Sequence, residues 1–111
     1  MAIYTAALSA QNTSVYVCDV VKPRAEDEWF ANALIGGTFG SGTVTLYYSL
    51  DSGVTKYAVT QDGTSSAAAA TAASALNIRG GWSGVNANMK LYASIATATN
   101  PVIAITVVDN R

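Results

Sequence analysis

From Gly42 to Val59 the sequence reads GTVTLYYSLDSGVTKYAV, and its period of two decides the fold class. Val44, Leu46, Tyr48 and Leu50 alternate with Thr43, Thr45, Tyr47 and Ser49, so a strand here turns one row to a core and the other outward. Asp51-Ser52-Gly53 supplies a turn, with a glycine free to take positive φ. Tyr57 and Val59 then resume the alternation on a returning strand. The stretch is expected to be a β-hairpin. Its outer row, Thr43, Thr45, Tyr47 and Ser49, is neutral and suited to lying against another subunit.

The same period recurs along the chain. Ser14 to Val21 reads as a strand with Tyr16, Cys18 and Val20 on one face and Val15, Val17 and Asp19 on the other. Ser74 to Arg79 turns Leu76 and Ile78 inward and Asn77 and Arg79 outward. Asn88 to Ala96 sets Met89, Leu91, Ala93 and Ile95 against Lys90, Tyr92 and Ser94. Pro101 opens a last strand that is apolar on both faces, the mark of a central strand or of one covered by another subunit. Gly36 to Gly42 reads as a bulged approach to the hairpin. Residues 1–13 form either a first strand or an extended arm. The alanine tract Ser66 to Ala73 is open between a loop, a helical turn and a flat strand packed on a neighbour. Short strands, glycine and asparagine turns and no long helical pattern predict an all-β, antiparallel β-sandwich or jelly-roll-like domain over residues 14–111.

Chemistry is sparse. The chain has no histidine and one cysteine, so neither a Ser/His/Asp set nor a His/Cys metal site can be assembled. Cys18 is expected as a small buried apolar residue. Glu26, Asp27 and Glu28 are adjacent rather than spaced as calcium ligands, and read as a solvated loop or helical turn after the strand-ending Pro23. Nothing pairs two of Asp19, Asp51, Asp62 and Asp109 as glycosidase carboxylates. A serine–lysine pair is only formally available. The glycines of 36–42 match no phosphate-binding pattern. The expectation is a protein that is not an enzyme and uses no cofactor or metal.

Charged residues are 12% of the chain, about half the usual ~25%. Six lysines and arginines spread along a chain of net charge −1 leave no basic face for nucleic acid. No basic-then-apolar leader opens the sequence, and no segment reaches the ~20 apolar residues of a membrane span. Synthesis in a cytoplasm, without membrane insertion, is expected. Such a weakly charged surface suits docking against copies of itself or a partner. The adjacent Trp29 and Phe30 divide, one as core anchor and one toward a partner, and Trp82 among glycines caps the core or projects. The candidate interface residues are Tyr4, Trp29, Phe30, Thr43, Thr45, Tyr47, Ser49, Trp82 and Tyr92.

Three stretches, GGTFGSGTVTLYYSLDSG (Gly36 to Gly53), LNIRGGWSG (Leu76 to Gly84) and MKLYASIATATNPVIAITV (Met89 to Val107), together resemble small β-sandwich proteins of tailed bacteriophage virions. The chain departs from that pattern at Val54 to Tyr57, where relatives often carry a tryptophan, and in its alanine tract. The resemblance implies a virion structural protein, above all a capsid decoration (cement) protein. Such proteins sit on the outer shell as homo-oligomers, typically trimers, and tie major capsid protein subunits together. Two alternatives are another virion part (head-tail, tail or fibre) and a carbohydrate-binding module that stacks sugars on Trp29, Tyr47, Tyr48 or Trp82.

Overall fold

Alternating side chains along short segments build two sheets in the computed structural model, which describes residues 2–10, 13–20, 29–61, 68–80 and 89–109. The strands are β1 (Ala2–Leu8), β2 (Thr13–Asp19), β3 (Trp29–Thr38), β4 (Thr43–Ser49), β5 (Tyr57–Ala58), β6 (Thr60–Gln61), β7 (Ala69–Ala70), β8 (Ser74–Gly80), β9 (Lys90–Ala96) and β10 (Val102–Asp109). The first sheet has the order β1-β10-β3-β8-β6; the second runs β2-β9-β4-β5, with β7 also pairing with β4. All the pairings are antiparallel, and the sheets pack as the β-sandwich that the alternation implies.

The core lies between the inner rows. On β9, Leu91, Ala93 and Ile95 are buried, as is Met89 just before it, while Lys90, Tyr92 and Ser94 are half-buried. On β8, Ile78 is buried and Asn77 and Arg79 are exposed. On β10, Ile103, Ile105 and Val107 are buried, and the strand is central, paired with β1 and β3. Each large apolar side chain taken out of water contributes ~1.5–3 kcal/mol. Trp29, at the start of β3, meets Tyr48 of β4 edge to face across the sandwich, ring centroids 6.4 Å apart. Its indole Nε1–H donates to the buried Asp109 carboxylate at 3.1 Å.

Five expectations are corrected. The glycines of 36–42 lead into the hairpin through a tight turn, not a bulge. Gly36 and Gly37 end the ten-residue β3, and a turn from Phe39 to Gly42 carries the chain into the other sheet. Its central residues Gly40 and Ser41 have φ of 59° and 65°, the signature of a primed turn, and the Gly42 amide donates to Phe39 O at 2.9 Å. On β2 the register slips between Tyr16 and Cys18. That bulge buries Val17 and Cys18 together and leaves Tyr16 exposed, so Tyr16 does not share the face of Cys18.

The hairpin's return is short. Only Tyr57 and Ala58 pair with β4, opposite Tyr48 and Tyr47; then buried Val59 carries the chain over to the first sheet, where β6 lies beside β8. Leu50 is not inward but 46% exposed, because the strand ends at Ser49. Finally, the outer row of β4 is not open. The loop 50–56 folds back over it, leaving Tyr47 3% and Ser49 1% exposed. Ser49 Oγ organises that loop: it accepts from the amides of Asp51 (3.2 Å) and Gly53 (2.8 Å) and donates to Asp51 Oδ1 (2.7 Å). A β-carbon on Gly53 would stand 3.4 Å from the Tyr92 ring and 3.7 Å from the Tyr47 hydroxyl, so the loop rests on both tyrosines.

Of the alanine tract, Ala69 and Ala70 form a short strand and Thr71 to Ala73 are exposed bends. The Ala68 amide donates to Val59 O, Ala68 O accepts from the Leu46 amide, and Ala69 and Ala70 pair with Thr45 and Val44. Side chains no larger than a methyl let this segment lie close against β4. The Asp62-Gly63 turn, Pro23, the Glu26–Glu28 run and Trp82 lie outside the described residues.

The loop also yields a pH prediction. Asp51 accepts hydrogen bonds from the Thr55 side chain, the Thr55 amide and Ser49, in that order of weight, which pulls its pKa down to about 2. An unfolded aspartate titrates near ~3.9. The folded value is the lower, so the carboxylate's contribution is present above the unfolded pKa and is lost as pH falls through about 2. The Thr55 amide resonance should titrate with a midpoint near about 2, and Asp51→Asn should abolish the titration. A midpoint at the ordinary aspartate value would show that the loop does not hold the carboxylate.

Candidate functional site

The antiparallel register of the second sheet sets Tyr16, Tyr92 and Tyr47 on one rung across β2, β9 and β4. Tyr47 and Tyr92 stack with centroids 5.5 Å apart and planes 10° apart, and Tyr16 meets Tyr92 edge to face at 5.9 Å. Two lysines close the ladder: Lys56 Nζ stands 5.0 Å from the Tyr47 centroid, and Lys90 Nζ stands 5.3 Å from that of Tyr16. Lys90 also pairs with Asp19 Oδ1 at 2.7 Å, and the Tyr16 hydroxyl donates to the same oxygen at 2.7 Å. Lys90 above all, then Tyr16, holds the Asp19 carboxyl below its usual range. The same bond to Asp19 is the main reason that the Tyr16 phenol is pushed up to about 12. Asp19, Lys90 and Tyr16 satisfy one another, whereas the buried Tyr47 hydroxyl has no hydrogen-bond partner among the described residues. The rung is a stiff surface panel, with its rings turned into mutual contact.

Against this geometry the expected interface residues separate. Trp29 is 1% exposed and belongs to the core, so of the adjacent aromatics it is Phe30, 47% exposed, that faces outward. Tyr47 and Ser49 are covered by the 50–56 loop and drop out as interface residues. Thr43, Thr45 and Tyr92 are half-buried on the second sheet, and Tyr4 on β1 packs partly against the core. Trp82 lies outside the described residues. The carbohydrate reading loses three of its rings, because Trp29, Tyr47 and Tyr48 are all 3% exposed or less and offer no free face.

The open surface is elsewhere. Ile3 of β1, Phe30 and Leu34 of β3 and Val102 of β10 are 59%, 47%, 46% and 64% exposed, and all belong to the outer rows of the first sheet. Between them lie small or neutral residues: Thr5, Thr106 and Ala75 on the rung of Leu34, and Ala7, Ala104 and Gly36 on the next. Arg79, opposite Phe30, is the one charge on these rungs among the described residues. A sheet face with a single charge and four large apolar side chains is the kind of surface that marks a docking site.

Other features offer less. A cleft of about 360 Å³ between Ser9–Ala10 and Ala98–Pro101 is lined, among the described residues, by small side chains with no ionisable group. A groove of about 240 Å³ on the second sheet brings Lys56 beside Ser14 and Ser94, but the ammonium lies over the Tyr47 ring. Burial, then the nearby Asp109 and Asp19 carboxylates, pushes the Cys18 thiol up to about 12, which leaves it without thiolate at neutral pH. Among the described residues, no three His, Cys, Asp or Glu side chains converge as a metal set, and no helix is long and apolar enough to cross a membrane.

No family model and no curated protein matches this sequence. Among solved structures, the chain is similar to the capsid asymmetric unit of cyanophage Pam1, with 14% identity and a TM-score of 0.43 over 96% of this chain and 81% of that one. A superposition at that level carries no functional weight.

Sequence reasoning singled out Phe30 but missed Ile3, Leu34 and Val102 as a group. The available signal was the two-sided apolar character of β10, to which β1 and β3 are hydrogen-bonded. What was missing was the strand order that makes Ile3, Leu34 and Val102 parts of one face.

Proposed function

We propose that this chain is a non-enzymatic virion structural protein, and specifically a capsid decoration protein. It binds the major capsid protein on the outer shell as a homo-oligomer, with the trimer favoured. The observation that carries this reading is the weakly charged outer face of the first sheet, with Ile3, Phe30, Leu34 and Val102 open to solvent. The resemblance of Gly36 to Val107 to phage-virion sandwich proteins supports it from the sequence side. A shallow apolar face gives modest affinity per copy. Repetition over a lattice of identical subunits converts modest contacts into firm attachment through avidity.

The test is co-sedimentation of the purified chain with expanded, undecorated capsids of the same virus. Saturable binding that raises the temperature at which the capsids rupture is expected. Phe30→Asp with Leu34→Asp should abolish binding while leaving the chain folded, since both side chains are exposed. Binding to isolated tails instead would move the role to a tail component. A chain that ignores every virion part and retains a glycan would sink the reading.

A further inference from the structure

We propose that β1 is an intermolecular edge, pairing antiparallel with β1 of a second copy of this chain about a twofold axis at Thr5. The inference stands apart from the capsid role, because it rests only on how the sheet edges are built; the twofold contact joins two copies and is separate from any contact that builds a trimer. A free strand edge presents unpaired amides and carbonyls, and native sheets blunt such edges with short strands, bulges, proline or charge.

Among the described residues, the other edges are blunted in these ways. β6 ends the first sheet with two residues, and β5 and β7, two residues each, share the outer side of β4. β2 carries a bulge between Tyr16 and Cys18 and ends on the charged Asp19. β1 differs from all of these. It pairs with β10 in unbroken register at all seven residues, AIYTAAL, and holds no charge, proline or bulge. A long, regular, neutral edge beside guarded ones is built to be paired.

The sequence of β1 also fits itself. With Thr5 opposite Thr5 of the second copy, Ile3 faces Ala7, Tyr4 faces Ala6 and Ala2 faces Leu8. Each of these rungs sets a large side chain against a small one, on both faces of the sheet, and threonine pairs favourably with threonine. The contact is isologous, so each pair occurs twice. It would cover Ile3, which is 59% exposed in the single chain, and would join the apolar outer faces of both copies into one continuous sheet.

The experiment is sedimentation equilibrium on the wild-type chain and two charge variants at positions on the outer face. Ile3→Lys with Ala7→Lys places like charges opposite each other across the axis. Ile3→Lys with Ala7→Glu restores opposite charges in the same register. Self-association of the wild type is expected, weakened about tenfold or more by the first variant and recovered by the second. Thr5→Cys supplies a second readout that does not depend on those substitutions. With Cys18 buried, oxidation should cross-link two copies through Cys at position 5 alone. Thermal melts check that each variant is folded. A wild type that stays monomeric overturns the proposal. So does an association that both charge variants leave unchanged, or that both weaken equally, together with no cross-link from Thr5→Cys.

Discussion

Trp29→Ala is expected to lower the stability of the domain by about 3–5 kcal/mol, a large share of the ~5–15 kcal/mol that holds a domain folded. At this size each kcal/mol moves the melting temperature by roughly 4–8 °C, so the midpoint should fall by roughly 12–40 °C. The magnitude follows from position. Trp29 is 1% exposed, stands edge to face on Tyr48 of the opposite sheet, and donates its indole N–H to buried Asp109. Alanine opens a cavity between the sheets and removes a donor from a buried carboxylate. Trp29→Phe separates the two effects: it keeps a ring against Tyr48 but loses the N–H, and should cost about 1–3 kcal/mol. A melting temperature unchanged by Trp29→Ala would mean that the ring does not bridge the sheets.

The second large effect is expected at Gly40. Its φ is 59°, and a β-carbon there would stand 2.1 Å from Thr99 O and 2.9 Å from the Thr99 N and C atoms. All three are backbone atoms, so no side chain can swing aside. The same loop already holds Thr97 and Asn100 at φ of 61° and 49°, and the Thr99 amide donates to Gly40 O at 2.9 Å. Gly40→Ala therefore has to break the contact between the inter-sheet turn and the 97–100 loop. A loss of about 3 kcal/mol or more is expected, read as a lower urea midpoint. Gly36→Ala is the control, with nothing within 4 Å of its β-carbon and no positive φ. It should shift stability by less than about 0.5 kcal/mol. Equal losses at the two positions would show that steric contact with Thr99 is not the cause.

The strands that could be read from the sequence are those whose side chains answer only to their own sheet. β8 and β9 are of this kind: Ile78, Leu91, Ala93 and Ile95 point inward as their alternation requires. β2 departs from the pattern because one extra residue at the bulge turns Val17 and Cys18 to the same side, and a bulge leaves no mark in hydrophobic spacing. Tyr47 and Ser49 occupy the outward row of β4, but the Ser49–Asp51–Gly53 hydrogen bonds fold a loop over them. Period two reports which row a residue is in. It does not report what another segment lays on top of that row. The candidate site suffered from the same gap. Phe30 could be picked out, because of two adjacent aromatics only one fits inside a strand's core row. The face that it shares with Ile3, Leu34 and Val102 depends on β1 and β3 both pairing with a strand that follows them by dozens of residues.

The central place of β10 governs the order in which the protein can assemble. β1 and β3 both hydrogen-bond to β10 and not to each other, so the first sheet has a gap through its middle until β10 arrives. During synthesis that strand emerges after the other nine described strands, and Ala2 must find Asp109 far along the sequence. Topologies dominated by such distant pairings fold slowly, on the order of milliseconds to seconds, because loop closure must precede the contacts that reward it. Until then β1 carries two unpaired edges rather than one. A nascent chain stalled before Val102 would thus present β1 and β3 as exposed strands, and would depend on a chaperone or on speed to avoid aggregating.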